Sequence, residues 1–268
     1  MNNIILCEGS TDYVLLQYYM RKAYQWCDDK DIQRNILKMP GQKSRNLKRG
    51  EDILTVMAVG GCSQIGNGLK QVLQKNEFSP PTLEGIYKKI VIVTDRDEME
   101  TEQNFIQIVQ TVLNDNDVVY TQPIANNSWT ECSMKNRAGT TLDFSLLLLV
   151  IPFEENGAME TFLLNAIGDN DSYDKTIIEE CNQFVERVDP QKRYLTSRRY
   201  ITKAKFDTYF SIRTPVQQYT ERQNILKNVQ WEEYNHIQTY MVNNSSSRKR
   251  YASPKAGTEL YLDLVFRQ

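Results

Sequence analysis

The sequence predicts an α/β protein in which a mostly parallel sheet is flanked by helices and followed by a largely helical extension. Two apolar runs, residues 3–7 and 89–93, are short and are stopped abruptly by charged residues, a pattern typical of buried parallel strands. A helical pattern follows each run, as the crossover connections between parallel strands require. After Asp169 strand-like runs become fewer and long polar side chains more frequent, which favours helices there.

Length and composition indicate a soluble globular protein with a sizeable core. The 268 residues are 40% hydrophobic and 25% charged, as is usual for such proteins. We expect a domain over residues 1–170 and a helical extension over residues 171–268 packed on it. The five cysteines include no C-x-x-C pair, and the sequence shows neither a secretory leader nor an apolar run of membrane-spanning length. Reduced thiols, a cytoplasmic location and no membrane association are therefore expected.

The charge balance restricts the way in which this chain could bind nucleic acid. The net charge is −2 and the isoelectric point is near 5.7, so no overall positive field draws phosphates to the surface. This argues against a protein that coats nucleic acid non-specifically. A nuclease remains compatible, because acidic metal ligands offset local basic clusters in the sum.

Apolar periodicity predicts the other elements along the chain. Strands are expected at residues 53–59, 118–120 and 141–153, and helices at 11–26, 65–73, 98–115, 161–167, 173–187, 201–212 and 217–226. Residues 28–51, 76–85 and 126–139 are expected to be loops or short insertions, 243–255 a flexible basic loop, and 260–266 a segment docked on the core.

Acidic residues follow two of the predicted strands. Asp95 and Asp97 end the run at residues 89–93, while Glu8 ends the first strand and Asp12 falls in the first turn of the next helix. Ligands in open α/β sheets collect at the carboxyl ends of strands. If the strand continues through Asp97, both aspartates point the same way and can address one cation. The first hypothesis is therefore a site for a hard metal ion.

The combination of E-G-x-x-D after one strand with D-x-D after a later one resembles the Toprim domain. This metal-binding α/β module, Rossmann-like in fold, is shared by type IA and type II topoisomerases, bacterial primases, small rRNA-maturing nucleases and the OLD (overcoming lysogenization defect) nucleases. Its motif is matched by Glu8, Asp95 and Asp97. The Thr-Asp ending of residues 8–12 is most similar to the OLD-related, phage-defence branch.

Two further elements of that branch have matches later in the chain. A late glutamate that completes the metal site corresponds to Glu160, with Glu154 and Glu155 as competitors, and an acidic helix start without catalytic role as the alternative. A downstream lysine near the metals corresponds to Lys203 or Lys205, and the sequence does not choose between them.

The resemblance implies a nuclease that depends on Mg²⁺ or Mn²⁺ and acts in anti-phage defence by abortive infection. Two ions would be held by carboxylates, with Glu8 and Asp12 on one, Asp97 and Glu160 on the other, and Asp95 between them. DNA and RNA, including tRNA, are both open as substrates. No Walker A motif is present, so an ABC-type or AAA-type ATPase would be a separate partner; a homodimer is also left open.

Basic residues provide candidate contacts to nucleic acid. Cations interleaved with aromatic side chains suit phosphates and base faces, although such runs are also typical of a solvated surface. The turn at Gly60-Gly61 favours either anion binding by backbone amides or merely a tight turn. The candidate nucleic-acid contacts are Lys43, Arg45, Lys192, Arg193, Arg198 and Arg199.

Other functional classes fit the sequence less well. The chain is too short for the strand-passage gates of a topoisomerase, and it lacks the zinc-binding cysteine spacing of a primase. The single histidine, His236, is expected to be structural, which argues against histidine-based chemistry. The main alternative is a catalytically idle metal- or nucleotide-binding module that is regulated by a partner ATPase.

Overall fold

A computed structural model describes residues 1–31, 37 and 42–215 of the chain. They form an α/β fold with one eight-stranded mixed sheet in the order β2-β3-β4-β1-β5-β8-β7-β6. The strands are β1 (Asn2–Cys7), β2 (Cys27–Asp28), β3 (Lys43–Arg49), β4 (Asp52–Ala58), β5 (Tyr87–Asp95), β6 (Val119–Tyr120), β7 (Trp129–Lys135) and β8 (Thr141–Ile151). The helices are α1 (Ser10–Tyr24), α2 (Ile65–Glu77), α3 (Thr101–Asp115), α4 (Met159–Asn170), α5 (Ser172–Val188) and α6 (Arg198–Arg213), with a 3-10 turn at Cys62–Gln64.

The centre of the sheet is parallel and its flanks are antiparallel. The pairs β4–β1, β1–β5 and β5–β8 are parallel, so their carboxyl ends meet at one edge. The outer pairs β2–β3, β3–β4, β7–β8 and β6–β7 run antiparallel. The predicted α/β class is confirmed. The expectation of a mostly parallel sheet holds only for the four central strands β4, β1, β5 and β8 and is wrong for the pairs on either side of them.

Alternation along the strands divides the core into two layers. Ile5 and Cys7 of β1 face a cluster with α1, α4, α5 and α6, while Ile4 and Leu6 face a cluster with α2 and α3. Both layers are therefore closed by helices, which explains why the central strands are apolar on both faces. Because α5 and α6 belong to the same cluster as α1, the described part of the predicted extension shares a core with residues 1–170.

Two segments predicted as loops are strands. β3 is highly charged, with Leu47 as its single buried aliphatic side chain, but it pairs along its whole length with β4. β7 buries Thr130, Cys132 and Met134 on alternate residues against β8. Both segments are too polar to be recognised as strands from composition. They form strands because the neighbouring strands β4 and β8 provide hydrogen-bond partners for their backbones.

Several predictions fall outside the described residues. These are the loop around residues 40–41, the helix at 217–226, His236, the basic loop at 243–255 and the docked segment at 260–266. Among the helices that the structure does describe, none has the length and apolar character needed to cross a bilayer.

Candidate active site at the carboxyl edge of the sheet

A cavity of about 300 Å³ lies where the parallel strands end. Its floor is formed by the turn at residues 8–12, the glycine turn at 60–62, the end of β5 and the start of α4, and its wall by the first turns of α6. Five predicted metal ligands line it: Glu8, Asp12, Asp95, Asp97 and Glu160. Because three parallel strands end together here, residues far apart in sequence meet in one place.

Glu8 is fixed through both its backbone and its side chain. Its carbonyl accepts hydrogen bonds from the amides of Gly60 and Gly61, at 3.0 and 2.9 Å. Its Oε1 accepts from the Asp95 amide at 3.0 Å and from the Thr94 hydroxyl. Gly60 and Gly61 have φ angles of 92° and 125°, which glycine adopts without strain. Both amides thus hold Glu8, and the anion-binding interpretation of this turn is wrong for them.

Asp12 and Asp95 are each held by one backbone amide. Asp12 Oδ2 accepts from the Gly9 amide at 3.0 Å in the first turn of α1, and only 6% of the residue is exposed. Asp95 Oδ1 accepts from the Met159 amide at 2.9 Å. The latter bond joins the end of β5 to the start of α4, where Glu160 is 3% exposed. The late acidic helix start is therefore part of the cavity.

Arg96, between the two aspartates, connects them to the loop that leads into α4. Its Nε donates to the Pro152 carbonyl and its amide to the Ile151 carbonyl, each at 2.6 Å. Its own carbonyl accepts from the Gly157 amide at 2.8 Å, and its guanidinium pairs with Glu102. Nothing in the sequence pattern marks Arg96 as buried, although a buried arginine in an acidic motif requires partners of this kind.

Asp97 differs from the other acidic residues. β5 ends at Asp95, so the strand alternation that would align both aspartates does not extend to Asp97. Its side chain is 53% exposed and forms an ion pair with Arg198 of α6, whose side chain is 42% exposed. Asp97 therefore reaches the cavity from its rim, opposite the α6 wall.

The buried carboxyl groups have strongly perturbed titration. Burial, reinforced by the negative charges of Asp12 and Glu8, raises the pKa of Asp95 to about 9. Burial, with Glu160 and Glu8, raises the pKa of Asp12 to about 7. Burial also raises the pKa of Glu8, against the opposing hydrogen bonds from Thr94 and Asp95. The floor thus concentrates carboxyl groups whose ionised forms are made costly by burial and mutual repulsion.

The cations of the α6 wall act on different carboxyl groups. Arg198 contacts Asp97 directly. The positive charges of Arg199 and Lys203 partly offset the burial that raises the pKa values of Glu8 and Asp12, respectively. Lys205 instead pairs with Glu186 of α5 at 2.6 Å. Of the two candidate lysines, Lys203 is the one that lines the cavity.

The remaining predicted residues lie elsewhere in the described structure. Lys43 and Arg45 belong to β3, where Arg45 pairs with Asp28 at 3.5 Å. Lys192 and Arg193 lie in a turn before α6 that is held by Asp189. Glu155 accepts a hydrogen bond from Asn165. None of these residues, nor Glu154, is among the described residues that line the cavity.

A larger cavity of about 560 Å³ lies at the opposite, amino edge of the sheet. Three of its polar side chains are paired with each other, since Thr55 Oγ1 donates to Asn46 Oδ1 at 2.7 Å and lies 3.2 Å from the Tyr87 hydroxyl. It lacks the converging carboxylates of the smaller cavity, and its size alone gives no reason to prefer it.

The carboxyl groups of the floor do not form a ready-made set of metal ligands. Within residues 1–31, 37 and 42–215, no group of three or more histidine, cysteine, aspartate or glutamate side chains is arranged so that it could hold a metal ion. The carboxyl groups share a cavity but stand apart within it.

Fold and cavity together define an α/β protein with an acidic cleft at the carboxyl edge of its parallel strands. Residues 2–242 match the model of the family DUF3226, described as a protein of unknown function, and the chain belongs to that family. A search of curated proteins gave no match.

Two solved structures show a weak likeness to this chain. The structure of a hypothetical protein from Pyrococcus horikoshii OT3 is 15% identical with a TM-score of 0.47, over 90% of this chain and 99% of that one. A glyoxalase/bleomycin resistance protein/dioxygenase family enzyme from Burkholderia phytofirmans PsJN is 13% identical with a TM-score of 0.18, over 55% and 97%. Neither likeness is strong enough to carry a functional argument.

Proposed function

We propose that this protein is a metal-dependent nuclease of the Toprim type, from the OLD-related branch, that cleaves phosphodiester bonds in DNA or RNA. One observation carries the proposal. Carboxyl groups from separate segments of the chain, Glu8, Asp95 and Glu160, line one cavity opposite the cations of α6. A role in anti-phage defence, with a separate ATPase as partner, follows from the sequence resemblance alone and remains a prediction.

The donor set suits a hard divalent cation. The candidate ligands are all carboxylate oxygens, which Mg²⁺ and Mn²⁺ prefer. The raised pKa values of Asp95 and Asp12 reflect burial and, secondarily, repulsion between carboxylates, and a bound divalent cation would offset both. The side chains would have to draw closer than they stand. Glu8, Asp12, Asp95, Asp97 and Glu160 are the residues that would hold one or two ions.

Two chemical roles are divided between the floor and the wall. Divalent ions of this class, when bound, make a water molecule more acidic and neutralise the leaving oxygen. Arg199 and Lys203 would bind the phosphate oxygens of the substrate from the opposite side. Lys203, which is less exposed than Arg199, would stabilise the charge that develops on the phosphate oxygens. The wall reads phosphates rather than bases, so low sequence specificity is expected.

A substrate panel tests this proposal. Purified protein is incubated with Mg²⁺ or Mn²⁺ and with plasmid, single-stranded DNA or tRNA. We expect cleavage of at least one substrate, with Glu8→Gln reducing the rate by at least about 100-fold. Glu84→Gln removes a charge from an exposed loop distant from the cavity and serves as the matched control.

The panel also tests a second candidate function, a metal-binding module that is idle until a partner acts on it. The ion pair between Arg198 and Asp97 favours this candidate, because it engages one of the candidate ligands. Mn²⁺ binding that requires Glu8, without cleavage of any substrate, would support the idle module. Absence of both binding and cleavage would overturn both candidates.

A further inference from the structure

The basic face of α6 is matched residue by residue to the acidic floor. Arg198, Arg199 and Lys203 fall within about 140° of arc on the helix, and all three line the cavity. Each of them acts on a different carboxyl group: Asp97, Glu8 and Asp12. The wall therefore supplies a positive charge towards each of three carboxyl groups, two in the floor and one at its rim.

Arg198 and Asp97 are in direct contact, and each of them could exchange the other for a stronger binding partner. Both side chains are about half exposed, and ion pairs of this kind contribute little in water. A phosphodiester offers a guanidinium two oxygens in a planar, bidentate geometry that arginine favours. A divalent cation likewise offers Asp97 a stronger partner than an exposed guanidinium.

We propose that Arg198 is a substrate-responsive counter-ion that holds Asp97 in the empty cleft and transfers to a phosphodiester group of the bound substrate. Its departure frees Asp97 to complete the cation site. The divalent ion and the phosphodiester then bind cooperatively, and by linkage each tightens the other by the same factor. This inference rests on the proposed function and assigns Arg198 a positioning role toward Asp97.

Binding measurements without turnover test the exchange. Mn²⁺ is titrated by calorimetry into wild-type protein and the Arg198→Gln variant, with and without a short phosphorothioate oligodeoxythymidylate. Removal of the competing guanidinium should tighten binding of Mn²⁺ alone by about two- to five-fold. In wild-type protein the oligonucleotide should tighten Mn²⁺ binding several-fold, and in Arg198→Gln the part of this coupling that the exchange supplies should be lost, so that the coupling is smaller than in wild type.

Two controls isolate the contact. Arg187→Gln removes an exposed arginine of α5 that is not among the described residues lining the cavity, and it should change neither Mn²⁺ affinity nor coupling. Asp97→Asn removes the other half of the pair and should weaken Mn²⁺ binding while reducing the coupling to the same extent as Arg198→Gln. Thermal unfolding of Arg198→Gln should match wild type, because the pair is exposed.

The outcomes separate this inference from the proposed function. If Glu8→Gln abolishes Mn²⁺ binding but Arg198→Gln retains wild-type affinity and coupling, the exchange is overturned and the metal site stands. If Arg198→Gln tightens Mn²⁺ binding but keeps the coupling, Arg198 acts only as a distant positive charge, and the exchange is again overturned. If neither wild type nor Arg198→Gln binds Mn²⁺, both proposals fail.

Discussion

The two sides of the cleft are positioned by different means. The floor residues Glu8, Asp12 and Asp95 stand at strand ends or in the first helical turn, and each accepts a hydrogen bond from a backbone amide. The wall residues project from one helix, α6, whose own position depends on apolar packing by Phe206, Tyr209 and Phe210. The floor is therefore fixed locally, whereas the wall is fixed by the packing of a distant part of the chain.

This difference teaches which side carries chemistry that depends on accurate placement. Buried carboxyl groups tied to backbone cannot move far, while long, partly exposed cations can follow a substrate. Changes to the floor should therefore abolish cleavage, whereas changes to the wall should reduce its rate by smaller factors.

The largest effect is expected from the centre of the floor. Asp95→Asn keeps the shape of the side chain and its bond to the Met159 amide, but replaces the carboxylate that would bind the cation with a neutral amide. Cleavage should fall by about 1,000-fold, and Mn²⁺ affinity should fall with it. Cleavage by Asp95→Asn at a rate near wild type would show that the carboxyl groups of the floor do not take part in the reaction.

A smaller effect should distinguish the two lysines of the wall. Lys203→Gln should slow cleavage by about 100-fold, because Lys203 lines the cavity. Lys205→Gln should leave the rate within about two-fold, since its ammonium pairs with Glu186. The two variants have the same charge change on the same helix, so each controls for the other. Equal losses in both would contradict the placement of the wall.

The sequence predicted the floor better than the wall. Apolar runs that stop at acidic residues located Glu8 and Asp95, because strand ends are marked by a change of composition. The choice between Lys203 and Lys205 required the rotation of α6 about its axis, which depends on packing partners elsewhere in the chain. Arg96 was overlooked for a related reason, since its partners Pro152 and Glu102 come from other elements.

Stability should report the role of Arg96 in holding the floor to α4. Arg96→Met leaves Glu102 and the Pro152 carbonyl without their guanidinium partner, and should lower the free energy of unfolding by about 1–3 kcal/mol. Urea denaturation measures this loss. Arg137→Met serves as the control, because Arg137 pairs with Glu77 on the surface with its side chain 62% exposed and should change stability far less. Equal losses would mean that the contacts of Arg96 contribute no more to stability than an exposed ion pair does.

The smallest effect concerns how the metal-free floor responds to pH. The folded protein holds a proton on Asp95 up to a pKa of about 9, whereas the reference value is 3.8. A carboxyl group with a raised pKa stabilises the fold while protonated, so its contribution is full below pH 3.8 and is lost as the pH rises towards 9.

Between pH 7 and 8 in EDTA, wild-type protein should lose at most about 1.4 kcal/mol of this contribution. Asp95→Asn should lose less over the same interval, because the amide does not titrate. Saturating Mn²⁺ should reverse the trend, since an ion that binds ionised carboxylates stabilises the folded state more as protons leave. Urea denaturation at both pH values measures all three slopes, and a metal-free wild-type slope equal to that of Asp95→Asn would show that the floor does not retain the proton.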